Sequence, residues 1–165
     1  MDHKINVSEK NEIDNDQIEN ILNKNFGENR HQRIVYLYSK KSPITGLSLV
    51  SCYNKDPNTV IGTITFYRTL VSNINCLLLG PLAVSDLFQG KGFGKILVRK
   101  GLEIAKQKNE AICFVSGKYN YYKEFDFSKL SSKDLIISAL GDLTYGELLV
   151  KELKKDCRNL LPLKA

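Results

Sequence analysis

Residues able to do chemistry are densest at Gln89, Gly90, Lys91, Gly92, Phe93, Gly94 and Lys95, where three glycines alternate with other residues and two lysines stand among them. Glycine permits positive φ and lets a ligand approach the main chain, while N–H groups at the start of a helix point outward without partners. A phosphate suits such a spot, because the amides donate to it, the helix dipole favours it and the lysines add positive charge. A glycine-rich turn that only starts a helix would show the same residues, so spacing must discriminate. A P-loop needs glycine at position 89, where Gln89 stands, and Ser or Thr after Lys95, where Ile96 stands. A dinucleotide fingerprint begun at Gly90 needs its third glycine at Lys95, and one begun at Gly92 needs it at Leu97. Both patterns fail.

The flanking segments must hold this loop in place. Residues 76–84 are apolar but interrupted by Gly80 and Pro81, a pair unsuited to regular ladder pairing that predicts a bulge or kink. Residues 93–108 have helical periodicity, with Leu97, Gly101 and Ala105 in line, Val98 and Leu102 beside them, and lysines and Arg99 on the other face. Upstream, residues 4–8 read as a strand and a helix begins near Asn15, presenting Ile18, Ile21, Leu22 and Phe26 before Gly27 ends it. A second helix is expected over roughly 30–40, although Ile34, Val35, Tyr36, Leu37 and Tyr38 suit a strand equally. Residues 47–53 and 59–70 read as a hairpin around the turn formers Asn54, Lys55, Asp56, Pro57 and Asn58. A buried strand over 111–115, a short helix and closing strands through 146–153 complete a mixed α/β sheet.

A chain of 165 residues fits one domain that buries a core without disulfides or metals. Its 42% apolar and 25% charged residues exclude disordered and fibrous classes. No apolar segment follows Met1, Asp2, His3 and Lys4, and no run approaches the about 18 apolar residues of a membrane span, so a cytoplasmic protein with no membrane partner is expected. Cys52, Cys76 and Cys113 lie in apolar runs and read as reduced core residues; with Cys157 far off and His3 and His31 the only histidines, no metal site is expected. Charge is uneven. Residues 1–29 hold seven acids against three lysines, a net of −4, while residues 89–108 hold six bases against Glu103, a net of +5. The basic stretch is either a solvated helix face or an anion dock; no aromatic-basic repeat accompanies it, so no nucleic-acid partner is expected.

The strand, loop and helix over 78–108 resemble the signature of the GNAT acetyltransferases, Gln/Arg-x-x-Gly-x-Gly/Ala, matched by Gln89, Gly92 and Gly94. Leu79, Gly80, Pro81, Leu82, Ala83 and Val84 ahead of the loop look like the branch described as predicted N-acetyltransferases. Downstream, residues 121–127 resemble the family's Tyr-x-x-x-Gly-Phe, with Tyr122 in the tyrosine place and Asp126 where glycine is usual. The likeness is specific over 78–127 and looser over 4–153. It implies a single N-acetyltransferase domain across 1–165 with a C-terminal tail from about 154. The implied architecture is a central, mostly antiparallel mixed sheet with strands 4 and 5 splayed and helices on both faces.

By the same resemblance the cofactor is acetyl-coenzyme A. Its pantetheine arm would lie between backbone groups of Leu82, Ala83 and Val84 and a wall at 113–117, with its pyrophosphate on Gln89, Gly90, Lys91, Gly92, Phe93, Gly94 and Lys95. The implied reaction is acetyl transfer to a primary amine of a small molecule or protein by direct attack in a ternary complex, with Tyr122 protonating the departing thiolate. A monomer or homodimer is expected. Tyr119, Tyr121 and Phe125 read as core aromatics, Asp86 and Glu124 as surface residues, Cys76 and Cys113 as buried thiols, and no residue stands out as the base. Two alternatives stay open: a non-catalytic acyl-coenzyme A-binding module, and a basic nucleic-acid-binding protein.

Overall fold

The computed structural model describes residues 4–27, 29–30, 43–71, 73–130 and 147–161. Within them one sheet has the order β1-β2-β3-β4-β5-β7-β6, from β1 (Ile5–Glu9), β2 (Ser48–Tyr53), β3 (Asp56–Val71), β4 (Ile74–Val84), β5 (Ile112–Gly117), β6 (Ser128–Lys129) and β7 (Glu147–Glu152). The helices are α1 (Asn15–Phe26), α2 (Phe93–Gln107) and the single turn α3 (Tyr119–Tyr122). Only β4 and β5 run parallel; every other neighbouring pair is antiparallel. A mixed, mostly antiparallel sheet was the expected architecture, and it is the one found.

Strand alternation sends successive side chains to opposite faces, and the two long helices cover one face each. Leu97, Val98, Leu102 and Ala105 of α2 pack on Leu47, Leu49, Ile64, Phe66, Leu77 and Leu79. Ile18, Ile21 and Leu22 of α1 pack on Val50, Cys52, Val60 and Ala83. Leu49 and Val50, like Leu82 and Ala83, are chain neighbours that fall into different clusters, so α1 and α2 lie on opposite sides. Each fully buried Leu or Phe contributes on the order of 1.5–3 kcal/mol. Gly101 lets α2 come down on the sheet, since a Cβ there would stand 2.4 Å from the Phe66 ring.

Two details differ from the expectations. The β2-β3 turn is only Asn54 and Lys55, with Asp56 already opposite Tyr53. The surplus becomes a bulge in which Cys52 faces Val60, and exposed Pro57 sits there without depriving the ladder of a donor. The helix expected over 30–40 lies, apart from Arg30, outside the described residues. Among the described residues, no helix is long and apolar enough to cross a membrane.

The irregularity expected at Gly80 and Pro81 is present. Ile64 faces Leu82 but Phe66 faces Leu79, so β4 carries an extra residue there, with Gly80 at φ +126°. Parallel pairing with β5 is confined to Leu77, Leu78 and Leu79 against Cys113, Phe114 and Val115. Beyond the bulge β4 pairs with β3 alone, while the end of β5 pairs with β7 through Ser116 and Gly117. The two parallel strands therefore part after Leu79 and Val115, and a gap opens between them.

Candidate active site

The loop after β4 passes through the single turn Asp86–Phe88 and reaches α2 by way of two left-handed glycines, Gly90 at φ +74° and Gly92 at φ +83°. A Cβ on either would meet nothing within 4 Å, so conformation rather than space calls for glycine. Gly94 is the opposite case, for a Cβ there would stand 2.8 Å from the Tyr121 hydroxyl. The first helical bond of α2 runs from Ile96 N–H to Gly92 C=O at 3.2 Å, which leaves the amides of Phe93, Gly94 and Lys95 without helical partners. No acid stands in the first turn. Val84, Phe88, residues 89–95 and Tyr121 line a cleft of about 470 Å³ over these amides. The seven loop residues singled out from sequence thus converge on one space.

The Gln89 side-chain amide turns to neighbouring elements. Its Nε2 lies 3.1 Å from Val84 C=O, 3.0 Å from Asn25 Oδ1 and 3.3 Å from Asp86 Oδ1. Asn25 Nδ2 also donates to Val84 C=O, at 3.0 Å, and to Ile21 C=O at 2.8 Å. The two amides tie the loop to α1 and to the end of β4. Asn25 was missed from sequence, since no local spacing links residues 25 and 89.

The same contacts decide which strand groups remain open. Ser85 N–H donates to Ile61 C=O at 2.8 Å, and antiparallel pairs alternate between bonded and non-bonded. Ala83 therefore spends its main-chain groups on Thr63, whereas Leu82 and Val84 turn theirs toward the gap. Val84 C=O is taken by Asn25 and Gln89. Leu82 N–H, Leu82 C=O and Val84 N–H are what this edge can offer a ligand.

The aromatic turn closes the other side. After the single turn Lys123–Phe125, Asp126 adopts φ +63° and Phe127 N–H reaches back to Tyr122 C=O at 3.4 Å. Aspartate tolerates the left-handed region better than most side chains, so Asp126 supplies the turn that glycine usually makes. Its carboxylate meets Lys151 Nζ at 3.4 Å. Tyr122 is buried against Tyr121 and Phe127, at ring separations of 4.9 and 5.6 Å. A Cβ on Gly117, the last residue of β5, would stand 2.5 Å from the Tyr122 ring. That places Tyr122 where β4 and β5 part. Burial foremost, then Tyr121 and Cys113, push its phenol well above the usual tyrosine range.

Among the other aromatics, Phe125 is core, with the Arg99 guanidinium 5.4 Å from its ring centre. Tyr119 packs at the core's edge under Lys129 Nζ. Tyr121 differs from the expectation: it touches the core, yet its hydroxyl end borders the cleft. Glu124 pairs with both Lys95 and Arg99, at 2.6 and 2.9 Å. Burial raises the Cys76 thiol to about 11 and Cys113 further, so neither is a thiolate nucleophile at neutral pH.

A second cleft, of about 250 Å³, lies on the α1 face and reaches the β4 bulge at Pro81. Its strand floor carries the hydroxyls of Ser48, Thr63, Thr65 and Tyr67, and its rim the ion pair of Glu19 with buried Arg30.

The fold is shared with proteins of known structure. The chain resembles a GNAT N-acetyltransferase from Escherichia coli, YhbS, in complex with CoA, with TM-score 0.73 and 22% identity over 96% of this chain and 85% of that one. It is also similar to a GNAT acetyltransferase from Brucella melitensis in complex with acetyl-CoA (TM-score 0.68, 22% identity, 93% and 91% covered). The catalytic domain of the Tetrahymena GCN5 histone acetyltransferase in complex with coenzyme A matches with TM-score 0.66 at 18% identity, covering 93% and 94%. No curated protein matches the sequence. The acetyltransferase (GNAT) family model matches residues 15–127, which include the split strands, the glycine loop and the tyrosine turn, and the chain belongs to that family.

Proposed function

We propose that the chain, acting as one N-acetyltransferase domain in the cytoplasm, moves an acetyl group from acetyl-coenzyme A to a primary amine by direct attack in a ternary complex. The observation that carries this reading is the continuity of two binding features: the partnerless amides of α2 beneath the glycine loop, and the open main-chain edge of β4 beside them. Residues 90–95 would hold the pyrophosphate. Leu82 and Val84 would pair with the pantetheine amides as a strand pairs with a neighbour. Acetyl-coenzyme A supplies the thioester: a bond forms from nitrogen to the carbonyl carbon, the carbon–sulfur bond breaks, and the proton lost by nitrogen balances the one gained by sulfur. An N–H at Leu82 or Val84 polarises the carbonyl. Tyr122, kept protonated by its burial, donates to sulfur as charge develops there. Orientation of the two reactants supplies the rest of the rate.

Coenzyme A should raise the melting temperature, as any ligand selective for the folded state does, and acetyl-coenzyme A with a panel of amines should release free thiol. Binding without thiol release from any amine would leave the chain a binding module. No thermal shift at millimolar coenzyme A would end the proposal.

A further inference from the structure

Tyr121 is the residue of the turn that the proposed chemistry leaves unused. It stands between two features of the cofactor cleft. Its ring rests on Tyr122 and Phe125, at 4.9 and 5.9 Å between centres, which fixes the direction of its side chain. Its hydroxyl lies over the second residue of α2, in space that exists because Gly94 has no side chain. Among the described residues the hydroxyl has no hydrogen-bond partner. The turn that carries it is held down by Glu124, clamped between Lys95 and Arg99 one and two turns along α2. Phe93, Gly94 and Lys95 present their open amides at the same place.

Resting on the function proposed above, we infer that Tyr121 is a cofactor-binding residue whose hydroxyl donates to the pyrophosphate of the bound coenzyme A, and that Gly94 is glycine in order to admit that hydroxyl. A side-chain donor beside the α2 amides gives the anion a further contact. Hydrogen bonds to a charged acceptor exceed neutral ones in strength, so this contact should be visible in affinity. Tyr122 neighbours it in sequence but points at the end of β5, so the pair divides the cofactor between them, Tyr121 at the phosphates and Tyr122 at the sulfur end.

The test uses titration calorimetry with coenzyme A and the phosphorus resonances of the bound ligand. Tyr121→Phe keeps the ring and removes the donor; affinity should fall about tenfold or more. The pyrophosphate resonances should move while the 3′-phosphate resonance stays. Gly94→Ala should weaken binding to a similar degree by displacing the hydroxyl. Gly94→Ala combined with Tyr121→Phe should be no weaker than Tyr121→Phe alone, because the atom that the added methyl group would strike is gone. Unliganded melting temperatures check that each variant is folded. Wild-type affinity in Tyr121→Phe, unmoved pyrophosphate resonances, or additive losses in the double variant would each overturn the inference while leaving the acetyltransferase reading in place. A wild-type chain that does not bind coenzyme A would remove both.

Discussion

The two faces of the sheet do their work with different parts of the chain. On the α2 face the proposed binding surface is main chain, and side chains matter where they are missing: Gly94, Gly101 and Gly117 each have another residue's ring or hydroxyl within 3 Å of where a Cβ would be. On the α1 face the cleft floor is made of side-chain hydroxyls, with Thr63 donating to Leu49 C=O and Ser48 sharing a hydrogen bond of 3.0 Å with Thr65. A surface built of backbone tolerates one residue type at its tight points. A surface built of hydroxyls can be redrawn by single substitutions without disturbing the fold, and we propose that the amine acceptor docks on this α1 face.

The largest effect that separates the faces is expected at Gly92. Its Cβ would enter open space, so Gly92→Asp costs only the left-handed strain, on the order of 1 kcal/mol for this residue type. Its carboxylate, however, would stand where the phosphate should lie. Coenzyme A binding should weaken by about 100-fold or more, roughly the cost of a buried unpaired charge. Calorimetry and the lost thermal shift would show it, and unchanged affinity would mean that the glycine loop is only a turn.

Next in size is a contrast within the α2 face. Tyr122→Phe should lower turnover by about 10²-fold with coenzyme A affinity little changed, the effect expected of a general acid. Because burial holds this phenol above its usual value of about 10, a loss of turnover on raising pH to about 9 would belong to another group. Gly117→Ala pushes the Tyr122 ring and should lower turnover as well. Gly101→Ala strikes Phe66 instead and should cost about 1–3 kcal/mol of stability by overpacking, leaving turnover per folded molecule intact. If both glycine variants lose only stability, Tyr122 is packing.

The acceptor side should respond in the opposite sense. Thr65→Val removes a hydroxyl and leaves Ser48 without that partner, in a cleft that coenzyme A need not touch. KM for the amine should rise by about two- to tenfold, the range of one neutral hydrogen bond, while coenzyme A affinity stays put. A change in coenzyme A affinity instead would mean that the two clefts are one site.

How far each face could be read from sequence follows from the same contrast. The glycine loop, the bulge at Gly80 and Pro81, and the buried stripe of α2 were legible because each rests on a constraint that few residue types satisfy. Asp126 looked like a departure, yet its φ of +63° shows one conformational need met by a second residue type. The threonines of β3 gave no sign of a cleft, because β-branched residues are ordinary in strands whether they line a site or only pack. Tyr121 was read as core because a run of aromatics does not tell which ring ends in a cleft. The link from Asn25 to Gln89 was invisible for a simpler reason: it joins residues 64 apart through side chains that are common on any surface.

That link supplies the smallest expected effect and the one that tests whether the faces are independent. Asn25 belongs to α1, which covers the acceptor side, yet its amide holds the last carbonyl of β4 and the side chain of Gln89 on the cofactor side. Asn25→Ala removes two donors to carbonyls and one acceptor, all partly exposed, so water can replace much of what is lost. Coenzyme A affinity should fall by about two- to tenfold through a loosened loop, each neutral bond being worth about 0.5–1.5 kcal/mol. Gln89→Ala should produce a loss of similar size, and the double variant less than the sum, since both side chains act on Val84 C=O. Asn25→Asp keeps the acceptor for Gln89 but turns a carboxylate oxygen toward Val84 C=O, and it should bind coenzyme A no better than Asn25→Ala. Additive losses would mean that Asn25 and Gln89 act separately, and that the acceptor-side helix has no hold on the phosphate loop through this carbonyl.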